Sequence, residues 1–159
     1  MALYLAIPKA SHAIVEVATS TVIKTLLQVA TPSTTDIRVV AWGVSFDGTS
    51  GVPGVVTLVD VDVAATSLTG LTAEEWESDD SQASLCVSGT SATGYGAGAE
   101  GTIGASRILD GQDLTPNSGG YSIWFPVYPR VKVSRFLRIR TLFAADVNCV
   151  PWILFQEPG

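Results

Sequence analysis

The sequence predicts one all-β domain, a two-sheet antiparallel sandwich of jelly-roll-like topology with at most one short helix. About eight segments are β-branched or alternate in polarity, turn residues separate them, and no long segment has the 3.6-residue period of a helix. A chain of 159 residues can bury one core, so residues 1–159 are treated as a single domain. An immunoglobulin-like sandwich ranks second, because Cys86 and Cys149 do not bracket a tryptophan at the expected spacing.

Four segments in the first part of the chain predict strands. The first is Ser11–Val17, and the second is Val22–Val29, which alternates in polarity. Ile37–Phe46 is rich in β-branched and aromatic residues, and Gly43 within it predicts a bulge. Gly54–Val63 alternates clearly and completes the set.

The second part of the chain predicts four more strands, two of which contain proline. Proline cannot donate a hydrogen bond to a neighbouring strand, so Pro126 favours an edge or a bulge. Another proline, Pro151, lies in the last segment. The predicted strands are Ser84–Ser88, Tyr121–Tyr128, Ser134–Phe143 and Val147–Gln156.

Two stretches depart from the strand pattern. Thr72 precedes Glu75 by three residues, which is the spacing of a capping box and predicts one short helix over Leu71–Ser78. Residues 88–120 are rich in Gly, Ser, Thr and Ala, which predicts a long Gly/Ser-rich loop. Such a loop either extends over a neighbouring subunit or forms a flexible part of the surface.

Charge is sparse and unevenly distributed. Charged residues make up 15% of the chain, against about 25% in an average soluble domain. The net charge of −6 argues against nonspecific nucleic-acid binding. Ten acids and one base lie between Asp60 and Asp113, whereas five bases and no acid lie between Arg130 and Arg140. This division favours head-to-tail contact between copies of the chain, with two solvated faces as the alternative.

The residues needed for catalysis are scarce, so we expect no enzyme, no catalytic residue, no cofactor and no metal. His12 is the only histidine, which weakens any triad or histidine-ligated metal site. Gly96, Gly98 and Gly101 match a dinucleotide fingerprint in spacing, but poor helix sequence follows. The Asp60–Asp62 pair lacks the later ligands of a calcium loop. Cys86 and Cys149 are expected to be free, buried thiols, although one disulfide stays an alternative.

The four tryptophans divide into two groups. Trp42, Trp124 and Trp152 lie in predicted strands and are expected to pack within the sheets. Trp76 lies among acids, where it would be partly exposed or anchored on a neighbour. An exposed Trp76 beside Tyr95 and a polar groove would instead form a sugar-stacking site, as in a carbohydrate-binding β-sandwich.

Four stretches resemble small structural proteins of tailed bacteriophages. They are Lys24–Pro32, Ile37–Asp47, Phe136–Arg140 and Asn148–Glu157. The resemblance covers most of the chain apart from its Gly-rich middle. It includes no catalytic motif, so no functional residue carries over from it.

The resemblance implies a capsid decoration (cement) protein, a β-sandwich that binds and stabilises the outer surface of the mature head. Its implied partners are the major capsid protein and copies of itself, as a homotrimer, with no nucleic acid and no membrane. It would be assembled in the host cytoplasm and located on the virion surface. A minor tail or fibre-like protein is the near alternative.

We expect the protein interface to involve an N-terminal contact arm, Met1–Ala10, and the basic strand near the end of the chain. Arg138 and Arg140 would share one face of that strand and form a small positive ladder. The predicted interface residues are Leu3, Tyr4, Ile7, Trp76, Arg135, Arg138 and Arg140.

Overall fold

The computed structural model describes residues 1–48, 50–77 and 82–158. Regular structure in these ranges is β-strand apart from one 3₁₀ turn, Pro116–Ser118, and the described chain has no helix long and apolar enough to span a membrane. The strands are β1 (Ala2–Ala6), β2 (Lys9–Ala10), β3 (Ala13–Ile14), β4 (Val17–Ala18), β5 (Lys24–Ala30), β6 (Ile37–Phe46), β7 (Gly54–Val61), β8 (Thr69–Gly70), β9 (Glu74–Glu75), β10 (Gly94–Tyr95), β11 (Ser106–Leu114), β12 (Gly120–Trp124), β13 (Arg130–Val131), β14 (Phe136–Leu142) and β15 (Asn148–Glu157).

Two antiparallel sheets form the body of the protein. Sheet A has the order β12-β6-β15-β1-β9, with β13 also paired to β6 and β4 also paired to β15. Sheet B has the order β11-β7-β14-β5-β10-β8. The β2–β3 hairpin is separate from both sheets. The predicted all-β, two-sheet sandwich is confirmed.

The eight long strands have the connectivity of a jelly roll. Numbered one to eight along the chain, they are β1, β5, β6, β7, β11, β12, β14 and β15. Sheet A then has the order six-three-eight-one, and sheet B has the order five-four-seven-two. The chain changes sheet at every connection except the one from β7 to β11, which are neighbours in sheet B.

The core lies between the inner faces of the two sheets. Strand alternation places Trp42 and Ile153 of sheet A opposite Leu58 and Ile139 of sheet B, and all four are fully buried. Burying a large apolar side chain contributes roughly 1.5–3 kcal/mol relative to leaving it exposed. Both cysteines are free and buried, as expected.

The predicted first strand, Ser11–Val17, is wrong. Ser11 and His12 have positive φ angles of 49° and 67°, so the chain reverses there and forms the β2–β3 hairpin. The first strand of the jelly roll is β1, within the segment expected to be a contact arm. β1 pairs with β15 along its whole length, so this segment is part of sheet A, and its role in contact stays a prediction.

The predicted helix over Leu71–Ser78 is absent from the described residues, which exclude Ser78. Glu74 and Glu75 form β9 and pair with β1, since the edge of β1 supplies hydrogen-bond partners. The capping-box spacing was overridden by this tertiary contact. The predicted strand Ser84–Ser88 is also absent and contributes only an isolated bridge to Thr93.

The predicted loop over residues 88–120 is wrong for much of its length. It contains β10 and the nine-residue β11, which pairs with β7 from Ser106 to Leu114. The Gly- and Ser-rich composition of this stretch did not indicate a strand. β11 is held by its pairing with β7, which is distant in sequence. Residues 63–68 and 92–101 are here called the covering segment: they pair with the β5 edge of sheet B at β10 and pass over the outer face of the sheet on either side of it. Gln28 of β5 holds them, donating to the Ala92 carbonyl at 2.6 Å and accepting from the Ala65 N–H at 2.8 Å.

Gly43 and the two strand prolines have specific structural roles. The predicted bulge at Gly43 is absent, and the irregularity falls between Leu154 and Phe155 instead. A Cβ at Gly43 would lie 2.7 Å from the Trp152 ring, so glycine is required for that close approach. Pro151 lies between the parts of β15 that pair with β4 and with β1, and Pro126 follows the edge strand β12.

Candidate functional site

The outer face of sheet A is apolar. Alternation along β1 directs Tyr4 into the core and leaves Leu3 and Leu5 outside, where they pack against Leu154. Trp152 joins this cluster from β15. We call this surface the tryptophan face, formed by Leu3, Leu5, Trp76, Trp124, Trp152 and Leu154.

Two tryptophans lie at the ends of this face. Trp124 is 61% exposed and pairs with Ala41 at the β12 edge. Trp76 is 55% exposed, and its N–H donates to the Leu3 carbonyl at 2.7 Å, which places it at the β9 edge. Five strands spaced about 4.8 Å apart make this face about 20 Å wide. Exposed apolar surface of this kind marks contact with another molecule.

The predicted interface residues of the N-terminal segment do not all lie on the tryptophan face. Leu3 belongs to it, and Ile7 is half-buried just beyond β1. Tyr4 is 1% exposed, stacks on Phe155 with ring centroids 5.8 Å apart, and donates through its hydroxyl to the Gln82 carbonyl at 3.1 Å. Burial, followed by the charge of Glu157, raises the pKa of Tyr4. Tyr4 is therefore a core residue.

The predicted positive ladder at Arg138 and Arg140 forms internal contacts. Arg138 is fully buried and donates to the carbonyls of Val63 and Glu100, the latter at 3.0 Å. Arg140 donates to the Glu100 carboxylate at 2.9 Å, and the Thr25 N–H and hydroxyl donate to it at 2.8 Å. Burial lowers the pKa of Arg138, while Glu100 opposes this shift. Both arginines anchor the covering segment, and Arg138 is inaccessible to a partner.

Arg135 belongs to a different cluster, at the rim between the sheets. It donates to Asp60 at 2.7 Å, and Arg107 donates to the other carboxylate oxygen of Asp60 at 3.1 Å. Together with Arg130 and Lys132 these residues line a cleft of about 390 Å³, here called the basic cleft. Asp60, considered above as a calcium ligand, is engaged by two arginines instead. Sequence reasoning missed Arg107, because only the β7–β11 pairing brings it here.

A second carboxylate, that of Asp36, binds one of the arginines of the basic cleft. Arg130 forms an ion pair with Asp36, whose other oxygen accepts the Val133 N–H at 2.8 Å. Desolvation acts to raise the pKa of Asp36, but these hydrogen bonds outweigh it and lower the pKa below its usual value. Asp36 therefore remains ionised and holds the β13 region in place.

The outer face of sheet B has an open apolar groove where the covering segment ends. Its volume is about 260 Å³, and Thr57 and Arg140 supply polar groups within its lining. The exposed apolar residues along it are Ile23, Val55, Ile108 and Leu142. The sequence pattern missed this groove, because β11 was assigned to a loop.

The described residues contain no group of side chains suited to holding a metal ion, since no three His, Cys, Asp or Glu side chains among them could ligate one together. His12 is exposed in the hairpin turn, and the chain after Gly101 continues towards β11 without a helix.

The buried thiols lead to a testable expectation. Cys149 donates to the Val17 carbonyl at 3.2 Å, and burial raises its pKa to about 12. Burial likewise raises the pKa of Cys86, with Glu157 adding to the shift. At pH 8 the folded protein should therefore show no thiol reactive with Ellman's reagent, and two after denaturation in guanidinium. Rapid reaction of either thiol in the folded state would contradict this arrangement.

The chain matches no protein-family model, no curated protein and no solved structure in comparisons of all three kinds. Its fold and surfaces define it as a jelly-roll sandwich with exposed apolar surface on the outer side of each sheet.

Proposed function

We propose that the protein is a structural virion protein of a tailed bacteriophage that binds and stabilises the outer surface of the capsid as a decoration (cement) protein. The tryptophan face is the observation that carries this proposal, because it offers a broad apolar surface for docking on another protein. Two further features support it. Jelly rolls recur in viral capsid proteins, and the sequence resembles small phage structural proteins.

Docking would be driven by burial of the tryptophan face. A tryptophan buries about 150–250 Å², and more than half of Trp76 and Trp124 is still exposed. At about 25 cal/mol per Å², covering both would contribute roughly 4–7 kcal/mol. Association costs about 4–15 kcal/mol, so Leu3 and Leu5 and the avidity of many copies would be needed as well.

In this proposal the major capsid protein is the partner of the tryptophan face. Copies of the chain associate with one another as a homotrimer, and assembly in the host cytoplasm leaves the protein on the virion surface. A minor tail or fibre-like protein would use the same face on a different part of the particle. Mass spectrometry of purified heads and tails from the encoding phage separates these locations.

Replacing Trp76 and Trp124 together by serine should weaken binding to decoration-free heads by about 30-fold or more, because tryptophan is enriched among interface residues whose truncation costs about 2 kcal/mol or more. The measurement is co-sedimentation of purified protein with heads over a concentration series. Val87→Ser is the matched control, since Val87 is 70% exposed and lies outside the tryptophan face. Unchanged binding by the double variant, or absence of the protein from purified virions, would overturn the proposal.

Carbohydrate binding is the second candidate, favoured by three tryptophans on one face of a jelly roll, a fold also found in lectins. The predicted Trp76–Tyr95 platform is wrong, because Tyr95 is 8% exposed and lies in β10 of sheet B. In this second candidate, Trp124 and Trp152 would form the sugar-stacking surface instead. Glycan-array binding that Trp124→Ala abolishes, together with no binding to heads, would replace the capsid proposal with this one.

A further inference from the structure

Positive charge is concentrated at one edge of the molecule. Five of the nine bases surround the basic cleft and the adjoining cavity, and among the described residues that line these two spaces the acids are Asp36 and Asp60. The rest of the chain, with four bases and thirteen acids, carries a net charge of −9. The five bases are Arg38, Arg107, Arg130, Lys132 and Arg135.

The opposite edge of sheet A is acidic. The basic cleft adjoins β13, which pairs with β6, whereas β9 pairs with β1 beyond β15. Four strand spacings of about 4.8 Å place these edges about 19 Å apart. Glu74 and Glu75 form β9, and the exposed Trp76 and Glu77 follow. We call residues 74–77 the acidic edge.

The basic cleft retains donors for a further anion. The side chains of Arg107 and Arg130 are 51% and 59% exposed, although each forms one ion pair. A guanidinium has five N–H donors, so one carboxylate leaves several available. Lys132 is also exposed and lines the cleft.

We propose that the acidic edge of one copy of this chain binds in the basic cleft of the next. Glu77 would accept hydrogen bonds from the arginines, as would the carboxylate oxygen of Glu74 that is not bound by Lys9. A second copy is the occupant that the charges favour, because its acidic edge presents exposed carboxylates to a cleft that retains guanidinium donors. The two surfaces lie at opposite edges of one sheet, so a single copy can use both at once.

Such a contact is heterologous, so repetition produces a closed ring or an open chain. It leaves Trp124, Trp152 and the leucines of the tryptophan face uncovered, and Trp76 lies at the border between that face and the acidic edge. The inference rests on the part of the proposed function in which copies assemble with one another. It specifies the surfaces that they use.

The test is charge reversal followed by mixing. Arg130→Glu with Lys132→Glu makes the cleft acidic, and Glu74→Lys with Glu77→Lys makes the edge basic. Each double variant alone should be a 16.6 kDa monomer by light scattering under conditions where the unaltered protein is an oligomer. An equimolar mixture should associate again, because the two reversed surfaces then meet with opposite signs, and so do the two unreversed surfaces.

Glu16→Lys with Asp113→Lys is the control, since it makes the same charge change at exposed carboxylates outside the acidic edge. This variant should remain an oligomer, and raising the salt from about 0.05 to 0.5 M should dissociate the unaltered protein. Circular dichroism verifies that each variant is folded.

A monomeric unaltered protein at low salt, retained association of either reversed variant, or a mixture that stays monomeric would overturn the inference. These outcomes leave head binding through the tryptophan face to be judged separately. Association of copies of the chain without binding to heads would contradict the proposed function and would still support the contact between the acidic edge and the basic cleft.

Discussion

Trp42→Ala should lower the free energy of unfolding by about 3–5 kcal/mol, the range for removing a large aromatic residue from a packed core. Trp42 is fully buried at the centre of sheet A and meets Tyr121 edge-to-face, with ring centroids 5.5 Å apart. Its indole N–H donates to Asp110 at 3.1 Å. Because Asp110 lies on β11, this bond joins the two sheets.

The Asp110 carboxylate also accepts a hydrogen bond from the Tyr121 hydroxyl at 2.7 Å. Burial, followed by the contact with Asp110, raises the pKa of Tyr121 to about 12, so the phenol keeps its proton and continues to donate. Trp42→Phe should therefore cost less than Trp42→Ala, since it keeps an aromatic ring in the core, while both variants lose the indole donor and leave Asp110 its bonds from Tyr121 and Gly111. Urea unfolding followed by tryptophan fluorescence and circular dichroism measures both costs. A larger loss in Trp42→Phe than in Trp42→Ala would contradict this description.

Arg138→Ala should cost about 3 kcal/mol or more, comparable to breaking a buried ion pair. Arg138 has no exposed surface and binds the carbonyls of Val63 and Glu100. Its removal leaves these two carbonyls of the covering segment without their donor. The damage should be local, because the segment lies on the outside of sheet B and the core between the sheets is unchanged.

Arg140→Ala is the matched control on the same strand. Arg140 contacts the same carboxylate, but it is partly exposed and its loss leaves Glu100 with Arg138 and Thr25. Its cost should be about 1 kcal/mol, as for other partly exposed ion pairs. Urea unfolding measures the difference, and hydrogen exchange should show lost protection in residues 63–68 and 92–101 for Arg138→Ala. Equal costs, or a loss of protection spread over both sheets, would reject the anchoring role.

The proposed contacts use neighbouring parts of sheet A, which meet at Trp76. Its outer face would lie against the capsid, while its acidic and basic edges would join neighbouring copies side by side. The sandwich could then cover a surface without using the groove on sheet B. That groove remains exposed in this arrangement, at Ile23, Val55, Ile108 and Leu142.

The sequence by itself determined the architecture to a useful level. Alternation and β-branched content located six of the eight long strands, and the bounds of Ile37–Phe46 agree with β6 at both ends. The two-residue alternation of polarity along a strand involves only residues close together in sequence, so it can be recognised without knowing the strand's pairing partner. The same property correctly placed Arg138 and Arg140 on one face of their strand.

Only the tertiary structure decided which faces are covered. Alternation could not show that a distant segment buries Arg138, or that Tyr4 faces the core while Leu3 faces outward. It also missed β1 and β11, whose strand structure depends on pairing with β15 and β7 across long separations in sequence. Burial and strand pairing are set by contacts between residues far apart in the chain, which a local pattern does not contain.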